Sequence, residues 1–304
     1  MAASTALQTL TQTNRVLETT TNHISTGLRV GTPQDNAAYW SIATTMRSDN
    51  SALSTVQDAL GLGAATVDVA YNTIQSAIDI VGQIKKKLVA AREPGVDKTK
   101  IQSELTELQN TLQSIADAAV FSGENWLSVN SGTTGYNASK QVVASFTRTS
   151  GVISIGTITI NTANIKLFDA DTTGVGILDG SRSSAGALST AGTFALSTLS
   201  IAALTDSAVD VTTLNSYIAG ADTAISSMTS AGATLGAVKS RIDTQKDFIS
   251  KLTDAIDRGI GQLVDADMNE ESTRLQALQV QAQLGVQALS IANQASQNIL
   301  RLFQ

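Results

Sequence analysis

The chain has 304 residues, of which 42% are hydrophobic but only 4% aromatic, and its formal net charge is −6. This acidic balance disfavours a nucleic-acid backbone as partner, which needs Lys and Arg gathered on one face. The absence of Cys excludes disulfides and thiolate metal sites, and an aliphatic, aromatic-poor composition suits long helices in close contact better than a large enzyme core.

The first fourteen residues carry no charged side chain. Leu7, Leu10, Asn14, Leu17, Thr21, Ile24 and Leu28 recur at steps of three and four, the seam of a helix that packs lengthwise on another. Threonines at 9, 11, 13, 19, 20 and 21 are weak helix formers, so this short helix needs neighbours to persist. The start MAASTALQTLTQTNR lacks the basic and apolar runs of a secretory signal, which on composition alone predicts a soluble cytoplasmic protein.

Gly27, Gly31 and Pro33 then interrupt the helix, and Asp35 or Asn36 is placed to cap the next one. Tyr39 and Trp40 are expected to be buried under this turn. Leu53, Val56, Leu60, Gly63, Val67, Ala70, Ile74, Ala77, Val81, Ile84, Leu88 and Ala91 keep the heptad step without a slip. They predict one helix from about Thr45 to Ala91, on the order of 70 Å long, ended by Glu93-Pro94-Gly95. Asp97 caps a shorter helix with Ile101, Leu105, Leu108, Leu112 and Ile115 on one face. Phe121-Ser122-Gly123 closes it, and Trp126-Leu127 is expected to pack back on the rod.

Between 131 and 206 the pattern changes to β-branched runs broken by turn residues: Val142–Phe146, Val152–Ile160 and Phe194–Leu199 read as short strands. Heptads resume through Val211, Leu214, Ile218, Ala221, Ile225, Met228, Leu235, Ile242, Ile249, Ile256, Ile260 and Leu263, with Lys239 and Lys246 as polar interruptions. Similar spans on either side of an insertion imply an antiparallel pair. The expected fold is therefore mainly α, a long antiparallel helical coiled coil or bundle whose N- and C-terminal helices pair, carrying an inserted β-rich domain. Its nested domains are 1–44 with 268–304, 45–130 with 207–267, and 131–206.

The C-terminal stretch from Leu275 to Leu300 contains no Lys, Arg, Asp or Glu. One stripe runs through Leu275, Leu278, Ala282, Gly285, Leu289, Ala292, Ser296, Ile299 and Phe303, and a second through Val280, Leu284, Ile291 and Leu302. Its many Gln and Asn side chains make it too polar for a membrane span. Uncharged and apolar on two sides, it is expected to be enclosed by protein, with the N-terminal helix as partner. Both ends are expected to be mobile in the monomer and to order on polymerisation.

Catalytic chemistry has little to use. His23 is the sole His, and without Cys or a second His it builds no nucleophilic or metal constellation; no enzyme activity and no cofactor are expected. Asp265, Asp267, Glu270 and Glu271 sit where one helix stops and another starts, a capping position. Lys85, Lys86 and Lys87 read as a solvated face.

The segment NHISTGLRVGTPQDNAAYWSIA, residues 22–43, closely resembles the flagellin N-terminal signature through Ser25, Thr26, Gly27, Arg29, Asp35, Ala37 and Ala38. Leu235 to Leu300 is similar to the flagellin C-terminal segment, and Phe121-Ser122-Gly123 matches the family's Phe-Asn-Gly. The resemblance, to a short flagellin of the alphaproteobacterial kind, implies a subunit of the extracellular flagellar filament. It implies export without a cleaved signal through the flagellar type III apparatus, which overrides the cytoplasmic expectation, and an export chaperone over the C-terminal segment. It also implies self-polymerisation, alone or mixed with other flagellins, contact with hook-associated and cap proteins, and no nucleic-acid or membrane partner. Polymerisation would rest on Leu7, Leu10, Leu17, Ile24, Leu28, Leu275, Leu278, Leu284, Leu289, Ile291, Ile299, Leu302 and Phe303. The rod seam would rest on Leu53, Val56, Leu60, Val67, Ile74, Val81, Ile84, Leu88, Ile242, Ile249 and Ile256.

Departures from the family pattern lie in the segment that plant receptors read, where Asn36 and Tyr39-Trp40 replace commoner residues, and at Lys86-Lys87-Leu88, where an animal Toll-like receptor reads Arg-Glu-Leu. Weak recognition is expected at both. Two other readings remain beside the filament subunit: a hook-filament junction protein and a cytosolic coiled-coil adaptor.

Overall fold

The computed structural model describes residues 2–149, 151–171, 175–189 and 192–302, with side chains described from residue 4 onward except at 292, 293 and 295–302. Phe303, and the side chains of Ala292, Ser296, Ile299 and Leu302, therefore lie outside the described residues. In chain order the elements are α1 (Ala2–Thr26), α2 (Pro33–Ala90), α3 (Lys98–Ala118), β1 (Val120–Phe121), β2 (Glu124–Asn125), β3 (Ser128–Val129), β4 (Ser139–Thr149), β5 (Val152–Asn161), β6 (Phe168–Asp169), α4 (Ala208–Val264) and α5 (Met268–Leu302). The chain forms two compact units, one of Met1–Ala52 with Lys251–Gln304 and one of Leu53–Ser250.

In the unit Leu53–Ser250, α2 and α4 are antiparallel neighbours. Lys239 pairs with Asp68, and Lys85 with Asp222 at 2.5 Å; from one pair to the next, α2 advances by as many residues as α4 retreats. Between them Gly236 faces Tyr71 and Gly232 faces Gln75, on the same register. The long core follows the heptad: Leu53, Val56, Leu60, Val67, Ala70, Ile74, Ala77, Val81, Ile84, Leu88 and Ala91 are all buried, opposite Leu214, Ala221, Met228, Leu235, Ile242 and Ile249. Lys239 is half-buried and reaches Asp68, whereas Lys246 is exposed and takes no part in the seam. The basic run is not a plain solvated face, because Lys85 and Lys87 bridge to Asp222 of α4 and Glu104 of α3; Lys86 alone is exposed.

α3 is capped by Asp97, whose carboxylate accepts from Thr99 N and Lys100 N, and it buries Leu105, Leu112 and Ala116. At its far end the Asn125 amide donates to Ala116 O and Asp117 O, meeting carbonyls the helix leaves unpaired. Ser122 (φ 53°) and Gly123 (φ 83°) form the two-residue turn between β1 and β2, the positive-φ pair that tight hairpins require. Trp126 and Leu127 are buried as expected.

The inserted region holds one long antiparallel hairpin, β4 with β5, bulged between Val143 and Ser145. Only its base is buried, through Val142, Ala144, Ile158 and Ile160, while Val152, Ile153 and Ile155 at the tip are exposed. Gly63 of α2 lets this hairpin approach: a Cβ there would stand 2.2 Å from Val142 Cγ1. The expected strand at Phe194–Leu199 is not one. Phe194 makes only an isolated bridge with Arg182, and Ser197 N donates to Leu178 O; further on, Gln109 of α3 donates to Leu196 O and Leu199 O, and Gln102 accepts from Ile201 N, so side chains share the bonds a neighbouring strand would have given. Lys98 and Gly95 N then hold Asp206. The insertion is thus a small strand-containing region of one hairpin, short bridges and straps.

Two ionic groups anchor those straps. Asp169 is buried, which opposes its ionisation, yet bonds from Lys166, Ser131 and Asp171 N hold its pKa down to about 2. Arg182 is fully buried, donating to Gly186 O, Ile177 O and Thr223 Oγ1, and its burial lowers its pKa. Its Nε has no partner among the described residues.

Candidate assembly site in the terminal helices

The unit formed by the two chain ends is built around a knot of connectors. Arg29 N and Val30 N both donate to Val264 O, Ala266 N donates to Gly27 O, and Leu28 pairs with Asp265. Gly27 takes φ 72°, which a Gly adopts without strain. The Arg29 guanidinium donates to Leu263 O, a carbonyl in the last turn of α4 where a cation is favourable. Asp35 accepts from Gly31 N, Thr32 N and Thr32 Oγ1; the Thr32 bonds hold its carboxyl below the usual range. Asn36 has extended backbone and accepts from Ala38 N and Tyr39 N, so it is the residue that caps the regular part of α2. No breaker lies between it and Thr45, and the helix starts well before the position expected from heptads alone.

Under the connectors lies a small core of Val30, Ala43, Ile260 and Val264, with Leu28, Trp40, Met46, Ile256 and Leu263 partly buried against it. Tyr39 departs from expectation. It is 41% exposed, because a helix sends successive side chains about 100° apart and Trp40 takes the inward direction. Ser25, Ala37 and Ala38 are exposed as well.

α1 and α5 pair antiparallel. His23 meets Glu271 at 3.1 Å, and near the other end Gly285 stands against Leu10, whose Cδ1 would be 3.2 Å from an added Cβ. On α5 the inward residues are Glu271, Leu275, Leu278, Ala282, Gly285 and Leu289, the first of the two stripes. On α1 the inward line differs from the hydrophobic ruler: Thr13 and Thr20 are buried, Leu10, Leu17, Ile24 and Leu28 are half-buried, and Leu7, Asn14 and Thr21 are exposed. Thr13 satisfies its hydroxyl on Thr9 O within its own helix, as do Thr9, Thr11, Thr19, Thr21 and Thr26 on carbonyls four residues back. A threonine so satisfied can sit in a packed seam without an orphaned donor.

The pairing therefore covers small and polar residues, and leaves much of the apolar side-chain surface outside. Leu7, Val280, Leu284, Val286 and Ile291 are exposed by half or more, Ile291 by 68%. At Asp265–Glu271 the expected capping holds for Asp267, which accepts from Asn269 N and Glu270 N. It fails for Glu271, which turns inward to His23. Among the described residues no three His, Cys, Asp or Glu side chains gather as a metal site, and no helix is long and apolar enough to cross a membrane.

A family model of the bacterial flagellin N-terminal helical region matches residues 1–132, and one of the C-terminal helical region matches residues 218–303. This chain belongs to the bacterial flagellin family. The N-terminal match takes in α1, the connector knot, α2 and α3; the C-terminal match takes in most of α4 and all of α5 up to residue 302. The flagellin is 51% identical to Flagellin C of Rhizobium meliloti (strain 1021), with all of this chain and 97% of the relative covered. It is 46% identical to a flagellin of Brucella melitensis, again over all of this chain and 97% of the relative. With Flagellin A of Rhizobium meliloti (strain 1021) it shares 44% identity over 391 aligned positions, covering all of this chain and 98% of the relative. An alignment longer than the chain means that the relative carries residues this flagellin lacks. The small strand-containing region lies between the two matched segments.

Proposed function

We propose that this flagellin polymerises helically with itself into the bacterial flagellar filament and serves swimming motility as a structural subunit. One observation carries the proposal: α5 keeps an uncharged, exposed stripe of Val280, Leu284 and Ile291, a surface that water disfavours and that a second copy would cover. Three layers follow from this reading: 1–44 with 268–304 lining an inner tube, 45–130 with 207–267 as the shaft, and 131–206 facing outward.

The same reading makes the protein extracellular, exported through the flagellar type III apparatus, with a chaperone over the apolar stripe of α5 before assembly and hook-associated and cap proteins at the filament ends. Other flagellins of the same cell are candidate co-subunits. The polymerisation residues are those of α1 and α5 named above. Neither the cytosolic adaptor nor the junction protein finds support in the flagellin relatives. Negative-stain images of the purified chain, raised in concentration, should show long tubes. A protein that never forms tubes on its own would fit the junction role instead.

A further inference from the structure

The β4–β5 ribbon is bare on one face where it leaves the helices. Its bulge lies on β4, so the side chains of β5 alternate without a break. Ile158 and Ile160, both buried, share one face, and Ile153 and Ile155 share the other. Ile153 is 52% and Ile155 61% exposed, and Phe146, directly opposite Ile155 on β4, is half-buried beside them. No charged side chain occurs from Thr149 to Ile165. The far part of the ribbon is thus a neutral apolar knob.

A hollow of matching character lies at the start of α4. A groove of about 660 Å³ is lined by Ala208, Val209, Phe194 and Tyr217 together with Thr193 and Thr213, and no charged residue lines it. The two rings stand 4.7 Å apart, and Val209 is 75% exposed. The knob cannot reach the hollow of its own copy. Ser145 and Gly156 of the ribbon share a cleft with Ser240 and Gln245 of α4, and from Gly156 to Ile153 is about 10 Å of strand. From Ser240 back to Tyr217, the lining residue of α4 nearest to it, is about 35 Å along the helix. One molecule therefore carries two bare neutral surfaces that it cannot bring together.

We propose that the ribbon knob of one subunit docks in the α4 hollow of a second copy. This rests on the assembly reading above, and adds a contact of Leu53–Ser250 to the one made by the terminal helices. Both surfaces lack charge, so neither has to give up an ion's hydration when they meet. A pairing of two different surfaces leaves a knob bare at one end and a hollow at the other, so it repeats without closing, as a helical polymer requires. Knob against knob would close at two copies.

The chain has no Cys, so introduced thiols report the contact alone. Ile153→Cys and Val209→Cys, as single variants of the full-length chain, are mixed under assembly conditions, oxidised and run on a non-reducing gel. The mixture should give a covalent dimer that neither variant gives alone, and the double variant should give a ladder of covalent oligomers. Ile153→Cys mixed with Leu62→Cys, an exposed apolar site on α2, should stay unlinked. Ile153→Asp and Val209→Asp should each raise the critical concentration for assembly about ten-fold, with thermal unfolding of the monomer unchanged. The docking is overturned by a mixture that does not link, by Ile153→Cys linking to itself, by equal linking to Leu62→Cys, or by critical concentrations that do not move. A wild type that forms no tubes at any concentration would count against the assembly reading, while the linking pattern would still decide whether knob and hollow meet.

Discussion

Filaments disappear when residues 275–304 are removed, and Leu53–Ser250 keeps its fold. The deletion takes away Leu275, Leu278 and Leu289, which face α1, together with Val280, Leu284, Val286 and Ile291, which face outward. Each large aliphatic side chain fully covered in a polymer contributes about 1.5–3 kcal/mol, so the stripe and seam together far exceed what subunit association can spare. α1 loses its partner too, and a Thr-rich helix of 25 residues is marginal alone in water. The core of the other unit, from Leu53 to Ile249, includes no α5 residue. Circular dichroism should therefore show helix lost only at the ends, with the main thermal transition in place. Tubes formed by the trimmed chain would sink this account.

Gly63→Leu costs about 3 kcal/mol of the stability of the shaft and dislodges the β4–β5 hairpin. The reason is distance: even the first added carbon would overlap Val142 Cγ1, which is buried and stiff at χ1. A gain in helix propensity of about 1 kcal/mol on removing Gly is too small to offset such overpacking. The check is a pair of urea melts with a partner variant. Gly63→Ala and Val142→Ala should each destabilise, and the double variant should recover most of the loss, since the added methyl then occupies the space vacated by the other. Additive losses would show that the two residues do not share that space.

How much of this was legible in the sequence depended on what each residue had to touch. The α2 seam could be read from Leu53 to Ala91 because aliphatic residues fill nearly every inward position, and Asp97 announced α3 by a local rule. Gly63 could be counted in the seam, but the hairpin that requires it is set by a residue 79 positions on, which periodicity does not see. α1 misled the hydrophobic ruler for a physical reason. Its inward positions at 13 and 20 are threonines whose polarity hides them, while Leu7 points to solvent. Phe194–Leu199 carried strand-forming residues, yet Gln109 and Gln102 satisfied the neighbouring backbone instead. The His23–Glu271 pair was invisible because each partner, taken alone, looked like an ordinary helix-end residue.

The two apolar stripes of α5 were legible as such, and one folded copy accounts for a single stripe. The inward one meets α1; the outward one is left bare. That asymmetry is the basis for reading the terminal unit as a half-finished interface rather than a finished domain.

The measurement that bears on this most directly is amide hydrogen exchange, compared between the monomer and the assembled filament. The account predicts protection gained on assembly at residues 1–40 and 268–304, with the buried seam from Leu53 to Leu88 protected in both states. Equal protection of the two ends before and after assembly would contradict it.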